Sequence, residues 1–308
     1  MARLEQEEKL GIKRTRDLMG SAIEIQVRDK DKSLAESAIE EAFNEMERIE
    51  NLFANYNDSS MIQKINQSKD TLISVNNEIY ALMALCDSLW QMSDGAFDVS
   101  LNKLIKLWGS ESDSPAVPKN EELEVALRKS GWDNISLING NKFLRYSEVE
   151  LNFGAILKGY GIDRAIDVIR KQGIKNVSVN AGGEIKSFGI DWVIGIKDPR
   201  DSEQVIEKVL LGKMSIATSG DYENYFELDG KRYNHILNPF TGFPADSVMS
   251  VSVLHPSSAI ADALATAVFV LGPTKGLELI ENTTESEVFI VDINNRKLFS
   301  KGFVEYRN

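Results

Sequence analysis

The sequence predicts an α+β fold, because helical segments and β-hairpins alternate along the chain. Some segments repeat apolar residues at helical spacing, whereas others alternate apolar and polar residues as strands do. Short strand-like runs flank Asp229-Gly230, a favoured two-residue turn, and Asn294-Asn295. Such hairpins argue against a doubly wound parallel sheet. We find no clean linker and expect a single domain over residues 17 to 308, after a charged, flexible segment over residues 1 to 16.

Apolar spacing predicts five helices. The first follows a cap at Asp31 or Ser33, and the fourth stops at Gly173. The last begins near Ser257 or Ser258 and ends at Leu271. The other predicted ranges are 33–53, 77–92, 121 to about 129, and about 158 to 172.

Alternation and flanking turn residues predict the strands. The Asp229-Gly230 turn lies within a hairpin over residues 225 to 236, and the segment 109–118, rich in Ser, Asp and Pro, is predicted to be a loop. The remaining predicted strands are 22–27, 177–180, 192–197, 288–292 and 297–299.

The composition excludes several functional classes. Hydrophobic residues make up 43% of the chain and charged residues 27%, which is ordinary for a globular protein. A formal net charge of -12 disfavours nucleic acid as a partner, since phosphate binding relies on clustered Lys and Arg. Cys86 is the only cysteine, so neither an intrachain disulfide nor a cysteine-based zinc site can form. Its apolar neighbours predict a buried side chain.

A carboxylate and a hydroxyl lie one helical turn apart in the segment Ala-Asp-Ala-Leu-Ala-Thr-Ala, residues 261 to 267. Asp262 and Thr266 therefore project from one helix face, among alanines that allow another backbone to come close. Two oxygen donors suit Mg²⁺. From the spacing alone, the simpler interpretation is that Asp262 favours the start of the helix and Thr266 is buried.

A lysine lies between two glycines in a second segment, Leu-Asn-Phe-Gly-Ala-Ile-Leu-Lys-Gly-Tyr-Gly-Ile-Asp, residues 151 to 163. Lys158, with exposed backbone groups around Gly154 and Gly159, is suited to hold a pyrophosphate. An isolated lysine is more often a solvated surface charge. Together the two segments predict a metal-assisted site for phosphoryl transfer.

Six motifs occur in the order found in a known family. With the two segments above, they are Ser-Asp-Gly-Ala-Phe-Asp (93–98), Val-Asn-Ala-Gly-Gly-Glu (179–184), Thr-Ser-Gly-Asp-Tyr (218–222) and His-Ile-Leu-Asn-Pro-Phe-Thr-Gly (235–242). On these motifs the chain resembles the FAD:protein FMN transferases of the ApbE family. The resemblance implies a central mixed β-sheet with surrounding helices and a second small lobe beside the site.

The resemblance also implies roles for particular residues. The metal ligands would be Asp262, Thr266 and the backbone carbonyl of Ala155, binding Mg²⁺, or Mn²⁺ in its place. Asn152 stands where the family commonly has aspartate, so this chain keeps the hydrogen-bonding reach but lacks the negative charge at that position. The residues implied to bind FAD are Met19, Tyr56, Ala96, Phe97, Asp98, Asn152, Lys158, Asp163 and Ile236.

His235 is the histidine inside a family motif, whereas His255 lies outside one and is expected to be structural. An imidazole with a pKa near 6.5 can accept a proton from an attacking hydroxyl near neutral pH. The sequence leaves open whether His235 or Asp262 is the base. With Lys158 they form the predicted catalytic set.

The expected activity is Mg²⁺-dependent transfer of FMN from FAD to a Thr or Ser hydroxyl of an acceptor flavoprotein, with release of AMP. One alternative is an FAD pyrophosphatase, in which water replaces the hydroxyl and the products are FMN and AMP. Another is a flavin-binding or storage protein without catalysis. The acceptor surface, which would separate the first two, cannot be identified from the sequence.

No apolar run approaches the roughly 20 residues that span a bilayer. The opening residues, Met-Ala-Arg-Leu-Glu-Gln-Glu-Glu-Lys, lack the apolar stretch of a signal peptide. We therefore expect no transmembrane segment. The compartment stays open, because an intracellular protein and an exported form with its leader removed would both give this sequence.

Overall fold

The computed structural model describes residues 11–109 and 115–308 and has an α+β architecture. The strands are β1 Ile12–Leu18, β2 Ser21–Val27, β3 Leu72–Ser74, β4 Ile135–Ile138, β5 Lys142–Arg145, β6 Val177–Ala181, β7 Glu184–Phe188, β8 Trp192–Lys197, β9 Val205–Leu211, β10 Ser215–Gly220, β11 Tyr225–Leu228, β12 Lys231–Asn234, β13 Val248–His255, β14 Glu287–Asp292 and β15 Lys297–Phe299.

The main sheet has eight strands in the order β1-β2-β6-β7-β10-β13-β14-β15. Every neighbouring pair in it is antiparallel, so the expectation of a mixed sheet is wrong. Tight turns explain part of this pattern: Met19-Gly20 joins β1 to β2, and Gly182-Gly183 joins β6 to β7. Such short connections can only link antiparallel strands.

The helices of the described residues cover the main sheet and extend beyond it. Their bounds are α1 Lys32–Phe53, α2 Met61–Gln67, α3 Asn77–Met92, α4 Asn102–Trp108, α5 Asn120–Arg128, α6 Gly154–Lys171 and α7 Ser258–Glu281.

Caps and breakers set several helix ends as predicted. The Asp31 side chain accepts a hydrogen bond from the Leu34 N–H at the start of α1, and Ser257 caps α7. A kink at Gly272, with φ 77° and followed by Pro273, falls where the last helix was predicted to end. The chain nevertheless continues as helix to Glu281.

Helix α6 begins four residues before the predicted start at Lys158. The side-chain Oδ1 of Asn152 accepts a hydrogen bond from the Gly154 N–H at 2.8 Å, which satisfies a donor at the helix start. The Phe153 carbonyl accepts the N–H groups of Ile156 and Leu157. This local capping explains the earlier start, so Lys158 lies inside the helix and not at its end.

Strand β1 corrects the expectation of a flexible segment over residues 1 to 16. Ile12 to Leu18 pair with β2 in regular register, and Arg16 ion-pairs with Glu40 of α1 at 2.8 Å. Residues 1–10 lie outside the described residues. So does part of the loop predicted over 109–118, namely residues 110–114; residues 115–118 have no regular structure, as predicted.

Three smaller sheets and separate apolar clusters surround the main core. The small sheets are β3-β5-β4, β8-β9 and β11-β12, and the last is the hairpin predicted at Asp229-Gly230, where both residues have positive φ. A small apolar cluster forms a second lobe from α4, α5 and the segment after β12, and its buried members are Leu101, Leu104, Trp108, Leu123, Ala126 and Leu237.

Helix α7 is apolar nearly all round. Its length and composition alone would allow it to cross a membrane, but 61% of its most apolar window is buried inside the protein. It packs against α6, β10 and β13. A core helix passes the same length and composition test, so this finding is only weak evidence of a membrane span. Cys86 is buried in the main core, as predicted.

Candidate functional site

The site is built where helix α6 crosses α7 at close range. A Cβ atom on Gly159 would lie 2.2 Å from the Ser258 carbonyl oxygen, so only glycine permits this crossing. The close approach lets the Gly159 N–H donate to Oδ2 of Asp262 at 3.0 Å. The expectation that Gly159 exposes its backbone is therefore wrong, since its N–H is buried and already bonded.

The N-terminus of α7 is held by Asp163 of α6. Its carboxylate accepts hydrogen bonds from the N–H groups of Ser258 at 3.0 Å and Ala259 at 3.1 Å, and from the Ser257 hydroxyl at 2.7 Å. Lys186 ion-pairs with the same carboxylate at 2.6 Å. Three donors at the start of α7 thus engage Asp163 as a cap, beside its ion pair with Lys186, whereas the sequence predicted a flavin contact. The flavin contact of Asp163 stays a prediction.

Lys158 reaches from α6 to the start of β7. Its Nζ lies 2.7 Å from Oε1 of Glu184, and the lysine side chain is 24% exposed whereas that of Glu184 is 4% exposed. The positive charge of Lys158 also acts on Asp262 and on Glu223, which follows β10. The ammonium group therefore lies among carboxylates in a largely desolvated place.

The two buried carboxylates of the site share one lysine. Burial raises the pKa of Asp262, although Lys158 and the Gly159 N–H oppose the shift. Burial likewise raises the pKa of Glu184, against the influence of Lys158. Because burial outweighs the compensation by Lys158 in both groups, a divalent cation beside these carboxylates would favour their charged forms.

Thr266 lies one turn after Asp262 on α7, as its spacing predicted. Its Oγ1 lies 3.5 Å from the hydroxyl of Ser219 in β10. Ala155 occupies the first turn of α6 and is half-buried. Within residues 11–109 and 115–308, no cluster of three or more His, Cys, Asp or Glu side chains could hold a metal. A cation here would therefore need hydroxyl or carbonyl oxygens beside Asp262.

His235 follows strand β12 and is half-buried near Lys158. Its Nδ1 lies 3.1 Å from the Asn224 carbonyl oxygen, an acceptor that fixes the proton on Nδ1 and leaves Nε2 as a lone-pair acceptor. Burial, reinforced by the Lys158 charge and opposed by the Asn224 contact, lowers the pKa of His235 to about 4. The imidazole is therefore neutral near pH 7. The next residue, Ile236, is buried.

Met19 and Tyr56, both predicted to bind flavin, converge on one carboxylate. The Met19 N–H donates to Oε1 of Glu50 at 2.9 Å, and the Tyr56 hydroxyl donates to the same atom. Tyr56 is 63% exposed, whereas Met19 is buried. A pocket of about 350 Å³ lies beside them, lined by Asp17, Leu18, Gly20, Ser21, Ala22 and Glu50.

The side chains of Ala96 and Phe97 are each 1% exposed, so they contribute to the core. Asp98 accepts hydrogen bonds from the backbone N–H groups of Ser100 at 2.7 Å and Trp132 at 3.0 Å. Burial raises the pKa of Asp98. Any contact of this motif with flavin would therefore rely largely on backbone atoms.

Asn152 is 8% exposed, and both ends of its amide are used within the protein. Its Oδ1 caps α6 at Gly154, and its Nδ2 donates to Oδ1 of Asn102 at 3.2 Å. An amide can donate and accept here at once, whereas a carboxylate could only accept. The local structure thus suits the asparagine found in this chain.

His255, expected to be structural, supports the entry to α7. Its Nδ1 accepts a hydrogen bond from the Ser257 N–H at 2.9 Å, and the residue is 9% exposed. It lies two residues before the cap of the helix that carries Asp262. The observed contacts are those of a structural histidine.

Comparison with known proteins identifies the relatives of this chain. The model of the ApbE family matches residues 19–290. The chain belongs to the ApbE family. It is 33% identical over 272 residues to the FAD:protein FMN transferase of Vibrio cholerae, covering 85% of this chain and 79% of that protein. It is 32% identical over 292 residues to the protein of the same name from Treponema pallidum, covering 87% and 81%.

A solved ApbE protein from Thermotoga maritima has the same fold as this ApbE-family chain. The TM-score is 0.90 at 31% identity, and the match covers 96% of this chain and 99% of that one. Agreement over nearly the whole of both chains means that the α6–α7 crossing belongs to a family fold.

Sequence reasoning missed two residues of this ApbE-family site. Glu184 ends the Val-Asn-Ala-Gly-Gly-Glu motif, but the motif alone predicts no role for its side chain. Glu50 carried no signal at all, because its two partners come from different parts of the chain. Both residues became visible only through the contacts that they make.

Proposed function

We propose that this protein is an FAD:protein FMN transferase, as the names of its relatives indicate. The observation that carries the proposal is the convergence of Lys158, Asp262 and His235. Helix α6 supplies the ammonium, α7 the buried carboxylate, and the segment after β12 a neutral imidazole. A cation-binding group, a phosphate-binding group and a proton acceptor are what phosphoryl transfer to a hydroxyl needs.

The residues present fit a bound Mg²⁺ ion, or Mn²⁺ in its place. Asp262, the Thr266 hydroxyl and the Ala155 carbonyl would hold it, and the burial of Asp262 and Glu184, which outweighs their compensation by Lys158, supports a cation here. When bound, the ion would polarise the phosphoryl oxygens and offset their charge. Oxygen ligands of this kind are those that Mg²⁺ prefers.

Lys158 would bind the pyrophosphate of FAD and offset the charge that develops on the departing AMP. Its ammonium remains protonated, because nearby carboxylates outweigh its desolvation and raise its pKa. Nε2 of His235 would accept the proton of the acceptor hydroxyl. The hydroxyl oxygen then bonds to the FMN phosphorus as the bond to the AMP oxygen breaks. FMN stays on the acceptor as a phosphoester.

The contacts of the two candidates favour His235 over Asp262 as the general base. Asp262 Oδ2 is bonded to the Gly159 N–H and would be a metal ligand, whereas Nε2 of His235 is left free by the Nδ1 contact with Asn224. A group bound to a cation is a poor proton acceptor. We therefore assign proton transfer to His235.

The proposed activity is tested by incubating the protein with FAD and Mg²⁺, with and without a flavoprotein domain that carries an acceptor Thr. AMP is followed by chromatography and the acceptor by intact mass. The proposal expects AMP release that depends on the acceptor, together with an FMN-sized mass gain. FMN and AMP formed equally without acceptor would instead establish a pyrophosphatase, and intact FAD in both tubes a flavin-binding protein.

A further inference from the structure

The role of Glu184 goes beyond forming an ion pair. We propose that Glu184 is a positioning residue that holds Lys158 away from Asp262 and so keeps Asp262 available to a divalent cation. The inference rests on the proposed function, because it assumes that Asp262 is a metal ligand. It concerns a residue that makes no assumed contact with the metal or with FAD.

Glu184 is unusually placed for a residue with only a structural role. It opens β7 directly after the Gly182-Gly183 turn, and its side chain is 4% exposed. Oε1 pairs with Lys158, whereas Oε2 is buried and has no hydrogen-bond partner among the described residues. Leaving a buried carboxylate oxygen unpaired costs stability, so its presence calls for a functional explanation.

The Lys158 ammonium group can pair with either of two buried carboxylates, Glu184 or Asp262. Its charge acts on both Glu184 and Asp262, but the contact within hydrogen-bonding distance is the one with Glu184. Both backbones are fixed, that of Glu184 by strand pairing with Ala181 and that of Lys158 within α6, but the Glu184 side chain is 4% exposed and the longer lysine stem is 24% exposed. The more buried partner therefore decides where the ammonium group lies.

Removal of the Glu184 charge should redirect Lys158. Of the remaining carboxylates, Asp262 acts on the ammonium more strongly than Glu223, and a lysine paired with Asp262 would compete with a metal ion for that carboxylate. Glu184 also adds negative charge to the site, which by itself attracts a cation. The two effects are separated by removing Lys158 as well.

The test measures Mn²⁺ binding without FAD, by calorimetry and by the paramagnetic signal of free Mn²⁺. Glu184→Gln should weaken Mn²⁺ binding by roughly tenfold or more, and the double variant Glu184→Gln with Lys158→Met should restore most of that loss. A matched control is Glu207→Gln, because Glu207 is another largely buried glutamate paired with a cation, Arg307, at 2.7 Å. The control should bind Mn²⁺ as the unaltered protein does.

Thermal unfolding of each variant would confirm that it is folded. In turnover, Glu184→Gln should raise the Mg²⁺ concentration at half-maximal rate more than it lowers the rate at saturating Mg²⁺. A purely structural role would not produce that split. Unchanged Mn²⁺ affinity in Glu184→Gln, or no recovery in the double variant, would overturn the inference.

The two proposals fail in different ways. If the unaltered protein binds Mn²⁺ and the variants behave as expected, but no acceptor gains FMN, the positioning role stands and the transferase proposal falls. If FMN transfer proceeds while Glu184→Gln binds Mn²⁺ normally, the transferase proposal stands and the positioning role falls.

Discussion

At the scale of single residues, the site is dominated by charge held in a desolvated place. Asp262 and Glu184 have raised pKa values because both are buried, and the same lysine partly compensates them. A carboxyl group whose pKa is raised on folding lowers the free energy of unfolding as pH rises above the pKa that the group has in the unfolded chain. Near pH 7 these residues therefore cost the protein stability when no cation is bound.

Replacing Asp262 by Asn should make the metal-free protein more stable, by on the order of 1 kcal/mol. The amide removes the buried charge, while its oxygen can still accept the Gly159 N–H. Mg²⁺ should raise the melting temperature of the unaltered protein but leave that of Asp262→Asn unchanged. Scanning calorimetry with and without Mg²⁺ checks both expectations. A destabilised variant, or one still stabilised by Mg²⁺, would contradict the assignment of Asp262 as a ligand.

His235 gives a prediction on pH. Its pKa is lowered to about 4, so the neutral form that accepts a proton persists from neutral pH down to about pH 5. Protonation should inactivate the imidazole only as pH falls through about 4. The acid limb of kcat/KM for FAD should thus lie well below 6.5. An acid limb near 6.5 would contradict the low pKa.

Loss of the His235 imidazole should strongly reduce the rate of transfer. His235→Gln should slow transfer by roughly 10²- to 10⁴-fold, which is the usual contribution of a general base. FAD affinity should change little. His255→Gln is the matched control, since the His255 imidazole accepts a hydrogen bond from the Ser257 N–H and lies outside the proposed catalytic set. Equal losses of activity in the two variants would sink the assignment.

At the scale of elements, the crossing of α6 and α7 aligns the site. Gly159→Ala should destabilise the protein by about 1–3 kcal/mol, because the new Cβ would meet rigid backbone at Ser258. Gly161→Ala is the graded control, since its Cβ would meet the flexible side-chain ends of Met19 and Met46 and no rigid backbone. Denaturant unfolding should show the larger loss for Gly159→Ala. The reverse order would contradict the described crossing.

The cap on α7 offers a second test at this scale. Asp163→Ala should destabilise the protein by about 2 kcal/mol, since several donors at the helix start lose their acceptor. Asp163→Asn should lose less, because its oxygen still accepts. If Asp163 acts as the cap, the two variants should bind FAD in proportion to their remaining folded fraction. A large loss of FAD affinity without a loss of stability would favour the predicted flavin contact instead.

The elements also show what the sequence could and could not predict. Helix starts at Asp31 and Ser257 were found because capping is local, and the hairpin at Asp229-Gly230 because the turn type is local. Strand β13 was missed, since it is buried along its whole length and gives no inside-outside contrast. The antiparallel order of the main sheet depends on pairings between distant segments, which periodicity does not encode.

The site itself was predicted unevenly for the same reason. The spacing of Asp262 and Thr266 is a property of one helix, and it can be seen in the sequence. The contact of Glu184 with Lys158 and the convergence of Met19 and Tyr56 on Glu50 join separate segments. No local sequence pattern predicts contacts between separate segments. The family motifs located the segments, but the pairings came from the fold.

At the scale of the whole molecule, the fold brings the site residues together from several distant segments. The main sheet carries Glu184 on β7 and Ser219 on β10, and the helices beside it carry Lys158 and Asp262. The chain carries a net charge of -12, and the buried carboxylates of the site, when ionised, concentrate part of that negative charge in one place. A bound cation would connect these segments, which explains why metal binding and stability should change together.

The most direct test of the central claim is the intact mass of an acceptor flavoprotein domain after incubation with FAD and Mg²⁺. The unaltered protein should add an FMN-sized mass to the acceptor, and only when the acceptor hydroxyl is present. Asp262→Asn should add none, whereas the control Glu207→Gln, whose carboxylate pairs with Arg307, should add it at the normal rate. An unmodified acceptor with the unaltered protein, or full modification by Asp262→Asn, would contradict the account.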